Sequence, residues 1–180
     1  ELRFKRLLRK MENHVILCGY GRVGQEISNQ IKTQNIPIIV VESDEDRKKI
    51  AEENGLEVLC ADATLDETLK LAGLEKCKSL VVTLPNDAAN LYVVLSAKGI
   101  RSSIRVIARA GTEEAASKLR LAGASIVVSP YIAAGRAMAS MALRPIAIDF
   151  LDLLAGSECE IEEFELSNDI SLFETAEKRS

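Results

Sequence analysis

Six short aliphatic segments alternate with amphipathic, helix-like segments between residues 14 and 129. The aliphatic segments predict strands at residues 14–18, 38–42, 57–60, 80–84, 104–108 and 125–129. The segments between them predict helices near residues 22–34, 44–54, 65–72, 87–98 and 113–122. Connections this short require parallel strands with right-handed crossovers, and wholly apolar strands require helices on both faces. We therefore predict an α/β fold, a Rossmann-like, doubly wound, parallel six-stranded sheet with a C-terminal interface helix.

A glycine-rich motif follows the first predicted strand directly and opens the first predicted helix. Its sequence, Gly-Tyr-Gly-Arg-Val-Gly, has the spacing of dinucleotide-binding loops. The first glycine permits a tight turn, the second lets a pyrophosphate approach the backbone, and the third lets helix and strand pack closely. The helix N-terminus adds N–H donors and a partial positive charge. The residues predicted to bind phosphate are Gly19, Tyr20, Gly21, Arg22, Val23 and Gly24.

An acidic residue ends the second predicted strand. Glu42 lies eighteen residues beyond Gly24, where its carboxylate can accept hydrogen bonds from the ribose hydroxyls of an adenosine nucleotide. A negative charge there repels a 2′-phosphate, which favours NAD, NADH, AMP, ADP or ATP over NADP. The neighbouring Ser43 is included in the predicted site. The alternative is that Glu42 is only a solvated charge at a strand end.

Polar residues also follow the third, fourth and fifth predicted strands, whose carboxyl ends border the binding crevice of such sheets. Asp62 and its neighbour Ala63 are placed to reach an adenine, although Asp62 could equally serve only to hold its turn. Arg109 is predicted to bind phosphate, which arginine can contact with two parallel hydrogen bonds. Asn86 and Asp87 are expected to cap the helix that follows the fourth strand.

Residues 131–143 form a helix-length segment that is small or apolar on nearly every side, with Arg136 as its only charge. Such a helix needs burial all round, and one sheet edge covers only one side of it. We therefore predict a homodimer formed through this helix; the alternative is a central helix within the domain. Residues 14–144 are assigned to the nucleotide-binding domain. Residues 145–180 are interpreted as a crossover helix and the incomplete start of a second lobe.

These motifs resemble a known family, the N-terminal lobe of the RCK (TrkA-N, or KTN) domains that regulate prokaryotic potassium channels and transporters. The resemblance extends from about His14 to Leu154. It rests on the run His-Val-Ile-Leu-Cys-Gly-Tyr-Gly-Arg-Val-Gly at 14–24, Ala-Asp-Ala-Thr at 61–64, Leu-Ala-Gly-Ala at 121–124, and Ser-Pro-Tyr at 129–131 with Gly135 and Arg136.

The resemblance implies a dimeric ligand sensor, often assembled into an octameric gating ring, in which nucleotide or cation binding acts on a pore. It implies that a potassium channel pore belongs to the same chain and that the basic residues 1–13 are the linker from it. The domain would lie on the cytoplasmic side of a prokaryotic cell membrane and is itself expected to be soluble. Calcium-gated members carry an acidic cluster where this chain has Thr83, Arg109 and Gly111. The family resemblance keeps a divalent cation as a second candidate ligand. Because the acidic cluster is missing, this cation has no assigned site.

Two other functions stay open on the sequence, a peripheral regulatory subunit of a Trk/Ktr-type potassium transporter and an NAD-dependent oxidoreductase domain. The basic extension before the first strand favours a channel over a peripheral subunit. Hydride transfer needs a substrate pocket and usually an acid or base, and only about 25 residues follow the crossover helix, which is predicted at residues 147–154. His14, the single histidine, lies at the amino end of the first strand, away from the ligand edge. We expect no catalytic residue, no metal-ligand cluster and no nucleic-acid partner.

Overall fold

Six strands, each parallel to its neighbours, form one sheet in the computed structural model, which describes residues 11–143. The strands are β1 (Val15–Cys18), β2 (Ile38–Glu42), β3 (Glu57–Cys60), β4 (Ser79–Val82), β5 (Val106–Arg109) and β6 (Ile126–Val128). The helices are α1 (Arg22–Thr33), α2 (Glu45–Glu53), α3 (Asp66–Leu71), α4 (Asp87–Ile100), α5 (Glu113–Leu121) and α6 (Pro130–Leu143). The predicted fold, a Rossmann-like doubly wound parallel sheet of six strands, is confirmed.

The strand order across the sheet is β3-β2-β1-β4-β5-β6. The chain builds outward from β1 to β3 on one side and then crosses back to place β4 on the other side of β1. The carboxyl ends of β1 and β4 therefore border the crevice in which doubly wound sheets bind ligands. The glycine motif follows β1 directly, so the topology brings it to this crevice.

Two adjacent inner strands, β1 and β2, are buried along their whole length. Their residues alternate between two apolar clusters, because successive side chains of a strand point to opposite faces of the sheet. Ile16 and Cys18 pack with residues of α3, α4 and α5 in one cluster. Val15 and Leu17 pack with residues of α1 and α2 in the other. Helices therefore cover both faces, as strands without a polar side require.

Four of the six strands have boundaries that differ by one or two residues from the sequence prediction, and the largest differences are in β4 and β5. β4 ends two residues earlier than predicted, and β5 begins two residues later and ends one residue later. Ile104 donates its amide hydrogen to the carbonyl of Arg101, which places Ile104 in the turn after α4. Arg109 stays within the sheet because it pairs with Val128 of β6. The new start and end of β5 depend on backbone hydrogen bonds and strand pairing with other elements. The aliphatic character of the segment alone therefore did not predict them.

The helix predicted at residues 131–143 is present as α6, which begins at Pro130. A compact unit of the chain ends at Ala137, inside this helix. No residue of α6 between Pro130 and Ala137 is buried. Most of the predicted linker, residues 1–10, and all of the predicted second lobe, residues 145–180, lie outside the described residues. Among the helices of residues 11–143, none combines the length and the apolar character needed to cross a bilayer.

Candidate functional site

The glycine motif forms a tight loop between β1 and α1. Gly19 has a φ of +94°, a conformation that residues with a side chain rarely adopt, and it donates its amide hydrogen to the carbonyl of Val41 at 2.9 Å. A Cβ atom on Gly24 would lie 2.3 Å from the carbonyl oxygen of Gly19. The tight turn and the close approach of helix to strand, which the motif predicted for these two glycines, are both present.

Gly21 has a different environment, because no atom lies within 4 Å of the position its Cβ would occupy. It is the N-cap of α1, and it offers no side-chain acceptor to the first amides of that helix. The space over Gly21 belongs to a cleft of about 310 Å³. The residues that line the cleft are Gly21, Arg22, Val23, Arg47, Thr83, Pro85, Arg109 and Tyr131. Uncapped helix amides together with three arginines favour an anionic ligand.

The carboxylate of Glu42 is fixed at the end of β2, where the residue is only 5% exposed. Its Oε2 accepts a hydrogen bond from the backbone amide of Tyr20 at 2.8 Å, and its Oε1 accepts one from the amide of Asp44 at 2.9 Å. The guanidinium of Arg47 lies 3.8 Å from Oε2. Each carboxylate oxygen can accept a second hydrogen bond, so Glu42 can hold the loop and still bind hydroxyl groups. It is not the solvated strand-end charge of the alternative interpretation.

Arg109, the last residue of β5, reaches across the end of β4. Its Nη1 donates a 3.0 Å hydrogen bond to the carbonyl oxygen of Leu84. Its Nε is buried and has no hydrogen-bond partner among the described residues. The guanidinium carbon lies 5.6 Å from the centroid of the Tyr131 ring. Because an arginine side chain carries five N–H donors, Arg109 keeps donors for an anion in the cleft.

Asn90 of α4, which the sequence analysis did not single out, joins the ends of β4 and β5. Its side chain is fully buried. Oδ1 accepts a 2.9 Å hydrogen bond from the amide of Leu84, and Nδ2 donates to the carbonyl oxygens of Leu84 at 3.1 Å and Arg109 at 3.0 Å. A buried asparagine must be hydrogen-bonded, but the sequence does not show which face of α4 is buried. Asn90 thus supports the backbone from which Arg109 extends.

The two polar residues after β4 have different roles. Asn86 caps α4 as predicted, because its Oδ1 accepts hydrogen bonds from the amides of Ala88 at 2.8 Å and Ala89 at 3.2 Å. Asp87 does not cap the helix; its Oδ1 accepts a 2.9 Å hydrogen bond from the amide of Gly111. Gly111 follows β5, so this hydrogen bond connects the start of α4 to the loop after β5.

Comparison with known proteins assigns this arrangement to a family. The TrkA-N domain model matches residues 15–130, well over half of the chain. The chain belongs to the TrkA-N domain family. This result confirms the resemblance seen in the glycine motif and in the segments that follow it.

Three relatives illustrate the range of the family. Potassium channel protein 1 of Methanocaldococcus jannaschii is 38% identical over 157 residues, which are 86% of this TrkA-N chain and 47% of the relative. The crystal structure of the TrkA-N domain of the inner membrane protein YbaL from Escherichia coli has a TM-score of 0.69 and 31% identity, covering 73% of this chain and 98% of that one. The crystal structure of GsuK bound to ADP has a TM-score of 0.64 and 27% identity, covering 77% and 38%.

The TrkA-N chain spans about half the length of two curated relatives that it matches, potassium channel proteins 1 and 2 of M. jannaschii. In the part of the chain that the structure describes, no group of three or more His, Cys, Asp or Glu residues is placed to hold a metal ion. A divalent cation ligand therefore stays a prediction without a site.

Two predicted residues of the TrkA-N site have side chains in the core. The Tyr20 ring is fully buried, and its hydroxyl is hydrogen-bonded with Ser28 at 3.4 Å and Asn54 at 3.2 Å. Ala63 is 4% exposed and packs in the core. Only the backbone of either residue can therefore contribute to a ligand site. The spacing of the motif predicts the loop but not the direction of each side chain.

Glu42, Ser43 and Asp62 lie outside the residues that line the cleft. The Oδ1 of Asp62 accepts hydrogen bonds from the amide of Thr64 at 2.8 Å and from its hydroxyl at 2.7 Å. This is the turn-holding role that the sequence left open beside adenine binding. Ser43 is exposed directly after Glu42. The roles of Asp62 and Ser43 in ligand binding stay predictions.

Four residues that the sequence analysis did not assign to the site line the cleft: Arg47, Thr83, Pro85 and Tyr131. The Thr83 hydroxyl lies 3.1 Å from the carbonyl oxygens of both Cys18 and Gly19, so it supports the glycine loop from beneath. Thr83 directly follows β4, which pairs with β1, so its place beside the glycine loop could have been predicted once the strand order was known. Arg47 and Tyr131 reach the cleft only through the placement of α2 and α6, which no local pattern shows.

Proposed function

We propose that this TrkA-N domain is a ligand-sensing gating domain that binds an adenine nucleotide and thereby regulates potassium transport through a channel. The observation that carries the proposal is the hydrogen bond from the glycine loop to Glu42, which fixes an acidic group beside an anion-binding helix start. The similarity to potassium channel protein 1 of M. jannaschii supports the channel assignment, and the ADP-bound GsuK structure supports the class of ligand.

An adenine nucleotide fits the chemistry around the cleft. A phosphate over Gly21 would meet the first amides of α1, where open space allows a close approach. Arg22 and Arg109 line the same cleft and would offset the phosphate charge. Glu42 would accept hydrogen bonds from the ribose hydroxyls. This order of groups suits AMP, ADP, ATP, NAD or NADH, and the carboxylate disfavours the 2′-phosphate of NADP.

We propose that the domain acts by binding without turnover. The residues that line the cleft include no histidine, cysteine or lysine that could transfer a proton. The carboxylate of Glu42 accepts one backbone amide on each oxygen, and its remaining acceptor positions are proposed to bind the ribose. A ligand bound there would act by favouring one conformation, by at most the difference between its affinities for the two conformations.

The partners follow from the same proposal. The domain would form a homodimer through α6, which has no buried residue between Pro130 and Ala137 although most of its side chains are small or apolar. In the whole protein these dimers would form an octameric gating ring on the cytoplasmic side of the membrane, joined to a pore in the same chain. A second candidate is a regulatory domain of a cation transporter, which the similarity to YbaL of Escherichia coli, a putative cation/proton antiporter that is 34% identical over 116 residues, favours.

Calorimetric titration of the purified chain tests the proposed function. We expect micromolar binding of at least one of AMP, ADP, ATP, NAD and NADH, weaker binding of NADP, and an unchanged NADH absorbance over hours. The titrations are run with and without calcium to test the cation prediction. Gly21→Ala is the control, since a methyl group would fill the space proposed for the phosphate without touching another atom. Failure of every adenine nucleotide to bind would refute the proposal.

A further inference from the structure

The contact between Arg109 and Tyr131 connects the cleft to the start of α6. The guanidinium carbon of Arg109 lies 5.6 Å from the centroid of the Tyr131 ring, within the range of an attractive cation–π interaction. Tyr131 is the second residue of α6, and both residues line the cleft. An arginine predicted to bind phosphate therefore lies against the first turn of the helix that is proposed to form the dimer.

Core packing does not explain the position of Tyr131, which is 60% exposed. Its ring contributes instead to the surroundings of Arg109, whose guanidinium makes a single hydrogen bond, from Nη1 to the carbonyl of Leu84, in the described part of the chain. This hydrogen bond holds only one nitrogen of the guanidinium. The aromatic face supplies a second contact, which restricts the guanidinium to the side of the cleft.

A second contact also joins the start of α6 to the nucleotide-binding fold. Arg136 lies 3.7 Å from the carboxylate of Glu113, at the first turn of α5. Both groups are largely exposed, so this ion pair contributes little to stability by itself. Together with the Arg109–Tyr131 contact, it shows that the first two turns of α6 contact the fold at two places, at the end of β5 and at the start of α5.

We propose that Tyr131 is a positioning residue for Arg109. The ring holds the guanidinium beside the cleft before any ligand arrives, so that a phosphate meets an arginine that is already oriented. Through the same contact, a phosphate that draws Arg109 toward itself changes the environment of the first turn of α6. This inference rests on the proposed nucleotide site and adds to it the residue that links phosphate binding to the helix.

The inference makes a prediction that depends on the phosphate. Because Tyr131 acts through Arg109, its removal should weaken a ligand that carries a phosphate and leave the binding of the nucleoside unchanged. Leucine removes the π-face while keeping an apolar side chain at this exposed site. Phenylalanine keeps the π-face and removes only the hydroxyl, so it distinguishes positioning from a direct hydrogen bond between Tyr131 and the phosphate.

The experiment measures AMP and adenosine affinities by calorimetry for the wild-type chain, Tyr131→Leu, Tyr131→Phe, Arg109→Ala and the double variant Tyr131→Leu/Arg109→Ala. Tyr92→Leu is the matched control, because Tyr92 is 59% exposed on α4 and does not line the cleft. We expect Tyr131→Leu to lower AMP affinity about three- to tenfold, as the loss of a partly desolvated cation–π contact implies, with adenosine unchanged. Tyr131→Phe and Tyr92→Leu should stay within about twofold of the wild type.

In the Arg109→Ala background the Tyr131→Leu change should have no further effect on AMP, because the group that it positions is gone. An equal loss for AMP and adenosine, a loss in Tyr131→Phe, or additive losses in the double variant would each overturn the inference. So would an AMP affinity that Tyr131→Leu leaves unchanged. If the wild-type chain does not bind AMP, the same variants are compared with the adenine nucleotide that it does bind. If it binds none of AMP, ADP, ATP, NAD and NADH, the proposed function fails and the inference fails with it. Circular dichroism and thermal melting establish that each variant is folded.

Discussion

The backbone amide of Tyr20 donates a 2.8 Å hydrogen bond to Oε2 of Glu42. This bond joins the glycine loop after β1 to the acidic residue at the end of β2. The same carboxylate that is proposed to bind ribose therefore also fixes the loop that is proposed to bind phosphate. A substitution at Glu42 should affect both the ligand and the loop.

Glu42→Ala should lower the affinity for AMP at least tenfold, since a hydrogen bond to a charged group contributes about 1.5–3 kcal/mol. It should also destabilise the fold, because the amides of Tyr20 and Asp44 lose their acceptor. Glu42→Gln keeps one acceptor oxygen and should have smaller effects. Calorimetry and urea unfolding measure the two effects, with Glu26→Ala on the exposed side of α1 as the control. Unchanged AMP affinity in Glu42→Ala would remove Glu42 from the site.

Gly21, the N-cap of α1, and Gly24, in the first turn of that helix, should respond differently to alanine. A Cβ at position 24 would lie 2.3 Å from a backbone oxygen, so Gly24→Ala should lower the free energy of unfolding by about 3 kcal/mol or more. A Cβ at position 21 would contact no atom beyond its chain neighbours within 4 Å, so Gly21→Ala should cost at most about 1 kcal/mol, because alanine is a poorer N-cap than glycine, while losing nucleotide affinity. Chemical denaturation compares the two variants. Equal stability losses would contradict the geometry of the loop.

Asn90→Ala should destabilise the domain by about 2–4 kcal/mol, because it leaves buried backbone groups at the ends of β4 and β5 without their partners. Asn86→Ala is the matched control; it removes only a helix cap and should cost about 1 kcal/mol. Urea unfolding measures both. Because Asn90 also supports the backbone of Arg109, its loss should weaken AMP binding, whereas Asn86→Ala should not. A smaller effect for Asn90 than for Asn86 would contradict this assignment.

His14 should make stability depend on pH below neutrality. The ring is fully buried, its Nε2 is hydrogen-bonded to the carbonyl of Ala72 at 2.9 Å, and its Nδ1 has no partner among the described residues. Burial lowers the pKa of His14 below its ordinary value of 6.5, although the hydrogen bond to Ala72 opposes this effect. As the pH falls below 6.5, the unfolded chain therefore binds a proton before the folded chain does. Stability is then lost with decreasing pH, by at most about 1.4 kcal/mol per pH unit.

Thermal or urea unfolding between pH 7.5 and 5.5 tests this effect. His14 is the single histidine of the sequence, so His14→Gln removes the side chain that normally titrates in this range. The wild type should lose stability toward pH 5.5, and the variant should lose clearly less, whatever its stability at pH 7.5. Parallel pH profiles for the two proteins would show that His14 does not account for the dependence.

Local patterns in the sequence predicted much of the fold. Apolar runs of four or five residues are typical of strands in a parallel sheet whose two faces are both covered by helices. The alternation of these runs with helices restricts the topology. The glycine loop was also predictable, since Gly19 needs a positive φ and Gly24 must lie against the strand. The family resemblance, now confirmed, rests on the same residues. Boundaries were less accurate where a strand end depends on its neighbour, as at Arg109, which pairs with Val128.

The sequence by itself determined the order of the elements, the phosphate-type loop and the acidic residue at the end of β2, because these depend on periodicity, backbone conformation and spacing along the chain. Only the tertiary structure decided which side chains share the cleft. It turned the Tyr20 ring into the core, brought Tyr131 to Arg109, and placed Asn90 between two strand ends. These relationships join residues far apart in sequence, and their geometry depends on how the elements pack rather than on any local pattern.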